Sequence, residues 1–133
     1  LERTFPDQPG SRFCYRLEQA QRDWGEALHA CRQDGGDLAS IHSQDEVQFL
    51  FDWCMTTYGT NCWVGANDLA VEGNWVWTDG TPSDYFDFWC CHEPDDAWGG
   101  QDRMMIWQNW EGQGPGSDET CSNQHPSFCK LVL

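Results

Sequence analysis

The sequence has little positive charge. Seven Lys and Arg stand against 22 Asp and Glu, a formal net charge of -15. So acidic a chain is repelled by phosphate backbones, and nucleic acid is excluded as a natural partner. No apolar run approaches the roughly 18–20 residues of a membrane-spanning helix, so no membrane span is expected. No leader with a basic start, an apolar stretch and a small-residue cleavage site is visible, and the chain reads as mature and processed. It lacks an Asn-x-Ser/Thr acceptor for N-glycosylation, an internal repeat and an interdomain linker. It also lacks any CxxC pair, although it has eight cysteines. Without metal-type spacing, that many cysteines in 133 residues point to disulfides and to a secreted, extracellular protein. At this length residues 1–133 read as a single domain, small enough for cross-links to matter.

What the chain does have is unevenly placed. From Asp68 to Glu119 there are twelve acids and one base, Arg103, and six of the nine tryptophans lie between Trp75 and Trp110. Disordered acidic segments are poor in aromatics. Acids interleaved with tryptophans read instead as a folded surface offering oxygen ligands and flat apolar faces.

Local patterns give an α+β class with two early helices and an antiparallel sheet. The first dozen residues look like an irregular lead-in, and Phe13–Leu17 like an edge strand. Asp23-Trp24-Gly25-Glu26 has capping-box spacing, with Trp24, Ala27, Leu28 and Cys31 at helical period and Gly35-Gly36 as the stop. Ser43–Glu46 is a second capping box, before Val47, Leu50, Phe51 and Cys54 on one face. Strand candidates are Leu38–Ile41, Cys62–Ala66, Trp75–Thr78, Met104–Trp107 and Ser127–Val132, and Gly112–Gly116 reads as loop. The stretch from Gly80 to Gly100 lacks regular pattern, and a loop of that length in a small domain is the place to look for a site.

The ordered series Trp24-x2-Ala27-x3-Cys31-x3-Gly35-Gly36-x-Leu38-Ala39-x-Ile41, Glu46-x2-Phe49-Leu50, Trp63-Val64-Gly65-Ala66, Trp75-x-Trp77-x-Asp79-Gly80, Trp89 with Glu93-Pro94-Asp95, and Cys121-x7-Cys129 resembles the C-type-lectin-like domain family over about residues 13–131. Within the family the chain resembles the galactose- or N-acetylhexosamine-binding type of invertebrate-like secreted lectins. The resemblance implies a disulfide-stapled fold of two helices and antiparallel sheets with a long binding loop. It implies a Cys31–Cys129 bridge. The family's second bridge joins Cys121 to the position held here by Arg103, so Cys91 or Cys90 becomes the substitute partner. Cys54 and Cys62 flank a short turn and are placed to pair locally. Cys14 and one of Cys90 and Cys91 are left, either for a further internal bridge or for a disulfide-linked dimer.

The resemblance also implies calcium, which takes six to eight oxygen ligands. The sugar-bridging positions fall on Glu93, Asp95, Gln101, Ser117 and Asp118. Gln101 stands where a charged ligand is expected and Ser117 where an asparagine is, so this set is eroded and calcium-independent binding stays open. An auxiliary calcium cluster falls on Asp68, Glu72, Asp96 and Asp102. Trp98, with Trp110 second, is the candidate for packing on a sugar ring, whereas Trp63, Trp75, Trp77 and Trp89 are assigned to the core. The implied function is a lectin for glycans bearing galactose or an N-acetylhexosamine (GalNAc or GlcNAc). The rival on the same fold is a module that binds a mineral, ice or a protein. An enzyme is not expected: Glu93 and Asp118 as a glycosidase pair have no further support, Cys91 and His92 as a catalytic pair lack a free thiolate if the cysteine is bridged, and Cys90-Cys91-His92 lacks zinc-ligand spacing. His29, His42 and His125 read as surface or capping residues.

Overall fold

The structure, a computed structural model, describes residues 2–3, 12–59, 61–85, 103–111, 114–119 and 123–132, with side chains for 12–59, 61–85, 103–106 and 123–131. In chain order the elements are β1 (Glu2–Arg3), β2 (Phe13–Arg22), α1 (Trp24–Gln33), β3 (Asp37–Leu38), α2 (Gln44–Thr57), β4 (Cys62–Asn67), β5 (Val76–Trp77), β6 (Arg103–Glu111), β7 (Gly114–Glu119) and β8 (His125–Val132). They build one sheet in the order β1-β2-β8-β4-β6-β7, with β3 on β8 and β5 on β4.

Period-2 alternation explains how both faces of the sheet are filled. Cys62, Val64 and Ala66 of β4, Met104 and Ile106 of β6 and Phe128 of β8 pack in one apolar cluster with Val47, Leu50 and Cys54 of α2. Their odd neighbours Trp63, Met105 and Cys129 pack in the other, with Trp24, Ala27 and Cys31 of α1. Each helix therefore covers one face, and all six residues of β4 are buried. The indole N–H groups in this layer are satisfied by backbone: Trp24 Nε1 donates to Val64 O at 2.9 Å and Trp63 Nε1 to Arg22 O at 3.0 Å. Gly65 is required where β4 passes the β3 turn, because a Cβ there would lie 2.9 Å from Thr78 Oγ1 and 3.0 Å from Leu38 O.

Four expectations need correction. The lead-in contains a strand: β1 pairs with β2, which therefore has neighbours on both sides and runs on to Arg22. The sheet is mixed, because β4 and β8 run parallel with Trp63 opposite Ser127. Gly114–Gly116 belongs to β7 instead of a loop, its backbone satisfied by pairing with β6 despite the glycines. At α1 the capping box forms fully. At α2 Ser43 Oγ accepts the Glu46 N–H at 3.1 Å, but Glu46 accepts the N–H of His42 at 2.8 Å, one residue before the cap, while its other oxygen turns into the core.

Two disulfides staple the described residues. Cys31–Cys129 ties α1 to β8 across a separation of 98 residues, and Cys54–Cys62 joins the end of α2 to the start of β4. Both pairings agree with expectation. Cys14 is a free, exposed thiol. Cys90, Cys91 and Cys121 lie outside the described residues.

Candidate functional site

Beyond β4 the chain makes a turn that carries two of the expected calcium ligands. Val71 O accepts the Asn74 N–H at 2.9 Å, and Gly73 takes φ 82°, which a side chain would disfavour. The Gly73 N–H faces both carboxylates, 2.8 Å from Asp68 Oδ2 and 3.1 Å from Glu72 Oε2. Asp68 is 3% exposed, whereas Leu69 and Val71 on the same loop are exposed. Thus Asp68 and Glu72 lie together on one short loop. Their oxygens are hard donors of the kind calcium takes, so the pair fits that ion chemically.

Strand register gathers other segments to the same end of the sheet. Arg103, the first residue of β6, pairs with Asn67 on one side and Glu119 on the other. Asp68 follows the first of these partners, and Asp118 precedes the second. Asp118 lies opposite Met104 and Ser117 opposite Met105. Trp110 is in β6. Glu93, Asp95, Asp96, Trp98, Gln101 and Asp102 lie outside the described residues, as does Trp89. Among the described residues there is no group of three or more His, Cys, Asp or Glu able to hold a metal. Of the tryptophans assigned to the core, Trp63 and Trp77 are buried at 0% and 3% exposure, and Trp75 is partly buried against the larger cluster.

A polar network that the sequence reading missed supports the start of the long segment. Lys130 and Glu46 form a fully buried ion pair at 2.5 Å. Lys130 Nζ also donates to Ser40 O at 2.9 Å and lies 4.1 Å from the centre of the Phe13 ring, and the Tyr15 hydroxyl donates to Glu46. From there Ser40 Oγ donates to Asp79 Oδ2 at 2.6 Å. Asp79 Oδ1 accepts the N–H of Thr81 at 3.0 Å and its hydroxyl at 2.5 Å. His42 places Nε2 2.9 Å from Thr81 Oγ1 and Nδ1 2.8 Å from Asp84 Oδ1, and Tyr85 donates to Gln44 Oε1 at 2.9 Å. His42 is thus no surface histidine, its side chain being 12% exposed. The signal available in the sequence was a lysine at an inward position of an apolar strand, facing a glutamate on the apolar side of a helix. His29 is exposed as expected, and His125 packs edge-on against Trp63 at 5.0 Å.

Residues 20–131 match the Lectin C-type domain family. The chain is 36% identical over 124 residues to the C-type mannose receptor 2 of Rattus norvegicus, covering 92% of this chain but only 8% of that receptor's length. It is similar in structure to the cow C-type carbohydrate-recognition domain of CD23, solved in the presence of GlcNAc2Man3 oligosaccharide, with 31% identity, a TM-score of 0.78 and coverage of 91% of this chain and 88% of that one. It is as similar to herring type II antifreeze protein, at 30% identity and a TM-score of 0.77 over 91% of each chain. The fold, the Cys31–Cys129 staple and these matches together establish that the chain belongs to the C-type lectin domain family.

Proposed function

We propose that this domain binds glycans ending in galactose or an N-acetylhexosamine, at the end of the sheet where Asp68 just beyond β4, Arg103 of β6 and Asp118 of β7 are brought to one level. The convergence of those three segments by strand register carries the reading. C-type lectin domains are in general non-enzymatic carbohydrate-binding modules, often extracellular and disulfide-bonded, and secretion fits the two bridges. In this proposal Glu93, Asp95, Gln101, Ser117 and Asp118 meet sugar hydroxyls, and an indole, Trp98 before Trp110, packs on the apolar face of the ring. Asp68 and Glu72, with Asp96 and Asp102, would hold a calcium ion, which supplies positive charge that fixes the acidic loops. Sugar contact itself is carried by direct hydrogen bonds, because Gln101 and Ser117 weaken the bridging set. Affinity per site is then low, and a covalent dimer through the exposed Cys14, or through Cys90, would raise avidity.

A second reading, a surface-binding module for ice, mineral or protein, is favoured by the equal similarity to an antifreeze protein. A glycan array with and without EDTA separates the two. Galactose-type or N-acetylhexosamine-type glycans should be retained, and retention in EDTA supports direct recognition. Absence of binding to every glycan would transfer the proposal to the surface-binding reading.

A further inference from the structure

The stem Asp79–Tyr85, which leads into the long segment, is tied to the start of α2 by hydrogen bonds whose protons can be counted. Asp79 and Asp84 are carboxylates and accept only. Thr81 has one hydroxyl proton, and at 2.5 Å it goes to Asp79 Oδ1. His42 Nε2, 2.9 Å from the same hydroxyl, must then donate to it. His42 Nδ1, 2.8 Å from Asp84 Oδ1, must donate as well. A neutral imidazole has a single N–H, so all of these contacts hold together only when His42 is the imidazolium. The alternatives place the extra proton on Asp79, or on Asp84 to donate to Nδ1, and a carboxyl holds a proton far less well than an imidazole does.

We propose that His42 is a proton-dependent positioning residue: charged, it clamps the stem to α2 through Thr81 and Asp84, and neutral, it keeps its one N–H on the Asp84 carboxylate and releases Thr81.

Asp84 faces the ring directly and Asp79 faces it through Thr81. Asp45 and Glu46 add acids in the first turn of α2, although Glu46 is already matched by Lys130. The edge of Trp77 at 6.0 Å is the apolar neighbour. The N-terminal end of α2, with the partial positive charge of its dipole, follows directly after His42 and Ser43. The clamp is therefore closed while both ring nitrogens carry protons and loosens when one proton is lost. Its effect on glycan binding rests on the function proposed above, because that reading puts Glu93 and Asp95 in the segment the stem leads into. Its effect on the stem does not.

The test is NMR of the intact chain across about pH 5 to 8. The ring nitrogens of His42 report its protonation, and amide exchange, corrected for intrinsic pH dependence, reports the Thr81 N–H. We expect both nitrogens protonated at the acidic end, and roughly tenfold weaker Thr81 protection once the ring is neutral, the scale of one net hydrogen bond. In Asp84→Asn the new side-chain N–H can donate to Nδ1, so a neutral ring serves both contacts and the pH profile should flatten. Thr81→Val removes the conflict from the other side and should let a neutral Nδ1–H ring keep Asp84. A neutral ring at the acidic end with Thr81 protection intact, or protection unchanged across the titration, would overturn the clamp. Loss of glycan binding at every pH, with the NMR step present, would refute the sugar reading and leave the clamp standing.

Discussion

Glu46 and Asp68 are both buried carboxylates, at 0% and 3% exposure, and they are held in opposite ways. Glu46 is met from distant parts of the chain, by Lys130 on β8, by the Tyr15 hydroxyl on β2 and by the His42 N–H. Its charge is cancelled where it lies, between α2 and the sheet. Asp68 instead shares the N–H of Gly73 with a second acid, Glu72, on its own loop. A shared N–H orients the two carboxylates on one loop, and their oxygens are the hard donors that the proposed calcium site would use. Acid count alone does not separate such places. What separates these two is where the groups that meet them come from, across the fold for Glu46 and from the same loop for the Gly73 N–H at Asp68.

The comparison can be broken most severely at its core end. Glu46→Ala strands the Lys130 ammonium in an apolar layer and should cost about 3–5 kcal/mol, read by denaturant unfolding. Replacing both partners, Glu46→Leu with Lys130→Met, should recover part of that loss, since no uncompensated charge remains. Opening the covalent staple comes next. Cys31→Ser with Cys129→Ser should cost roughly 2–5 kcal/mol and lower the melting temperature in oxidising buffer, with the Cys54–Cys62 bridge intact by mass spectrometry. Gly65→Ala probes the steric fit beneath Asn67 and Asp68. With its Cβ against Thr78 and the Leu38 carbonyl, it should cost about 1–3 kcal/mol. The smallest effect is at the far end of α2. Burial, with the charge of Glu18 behind it, raises the Tyr58 phenol above its usual pKa. Its contribution is therefore present below the phenol's ordinary range and is lost as pH rises through it. Tyr58→Phe should make the alkaline limb of a stability–pH curve slightly shallower.

The two regions were not equally legible in the sequence. The helices announced themselves through Asp23 and Ser43 at their caps and apolar residues at helical period, and β4 through an unbroken apolar run. β7 was hidden because Gly114, Pro115 and Gly116 are poor strand formers and only pairing with β6 holds them extended. The parallel β4–β8 contact is a long-range property that no local pattern encodes. Asp68 and Glu72 stand out in the sequence only through the family resemblance, whereas the turn at Gly73 that holds them on one loop is seen in the structure alone. The Glu46 network was misread as an ordinary capping box, because the Ser-x-x-Glu spacing fits either role. Only the position of Lys130 decides between them.

The proposal that Asp68 and Glu72 belong to a calcium site, whereas the Glu46–Lys130 pair does not, is tested most directly by titrating calcium into the metal-free chain in a calorimeter. Asp68→Asn and Glu46→Gln are titrated in parallel. The account predicts saturable binding to the parent chain, loss of it in Asp68→Asn, and retention in folded Glu46→Gln. Absence of calcium binding by the parent chain, or equal binding by Asp68→Asn, would contradict it.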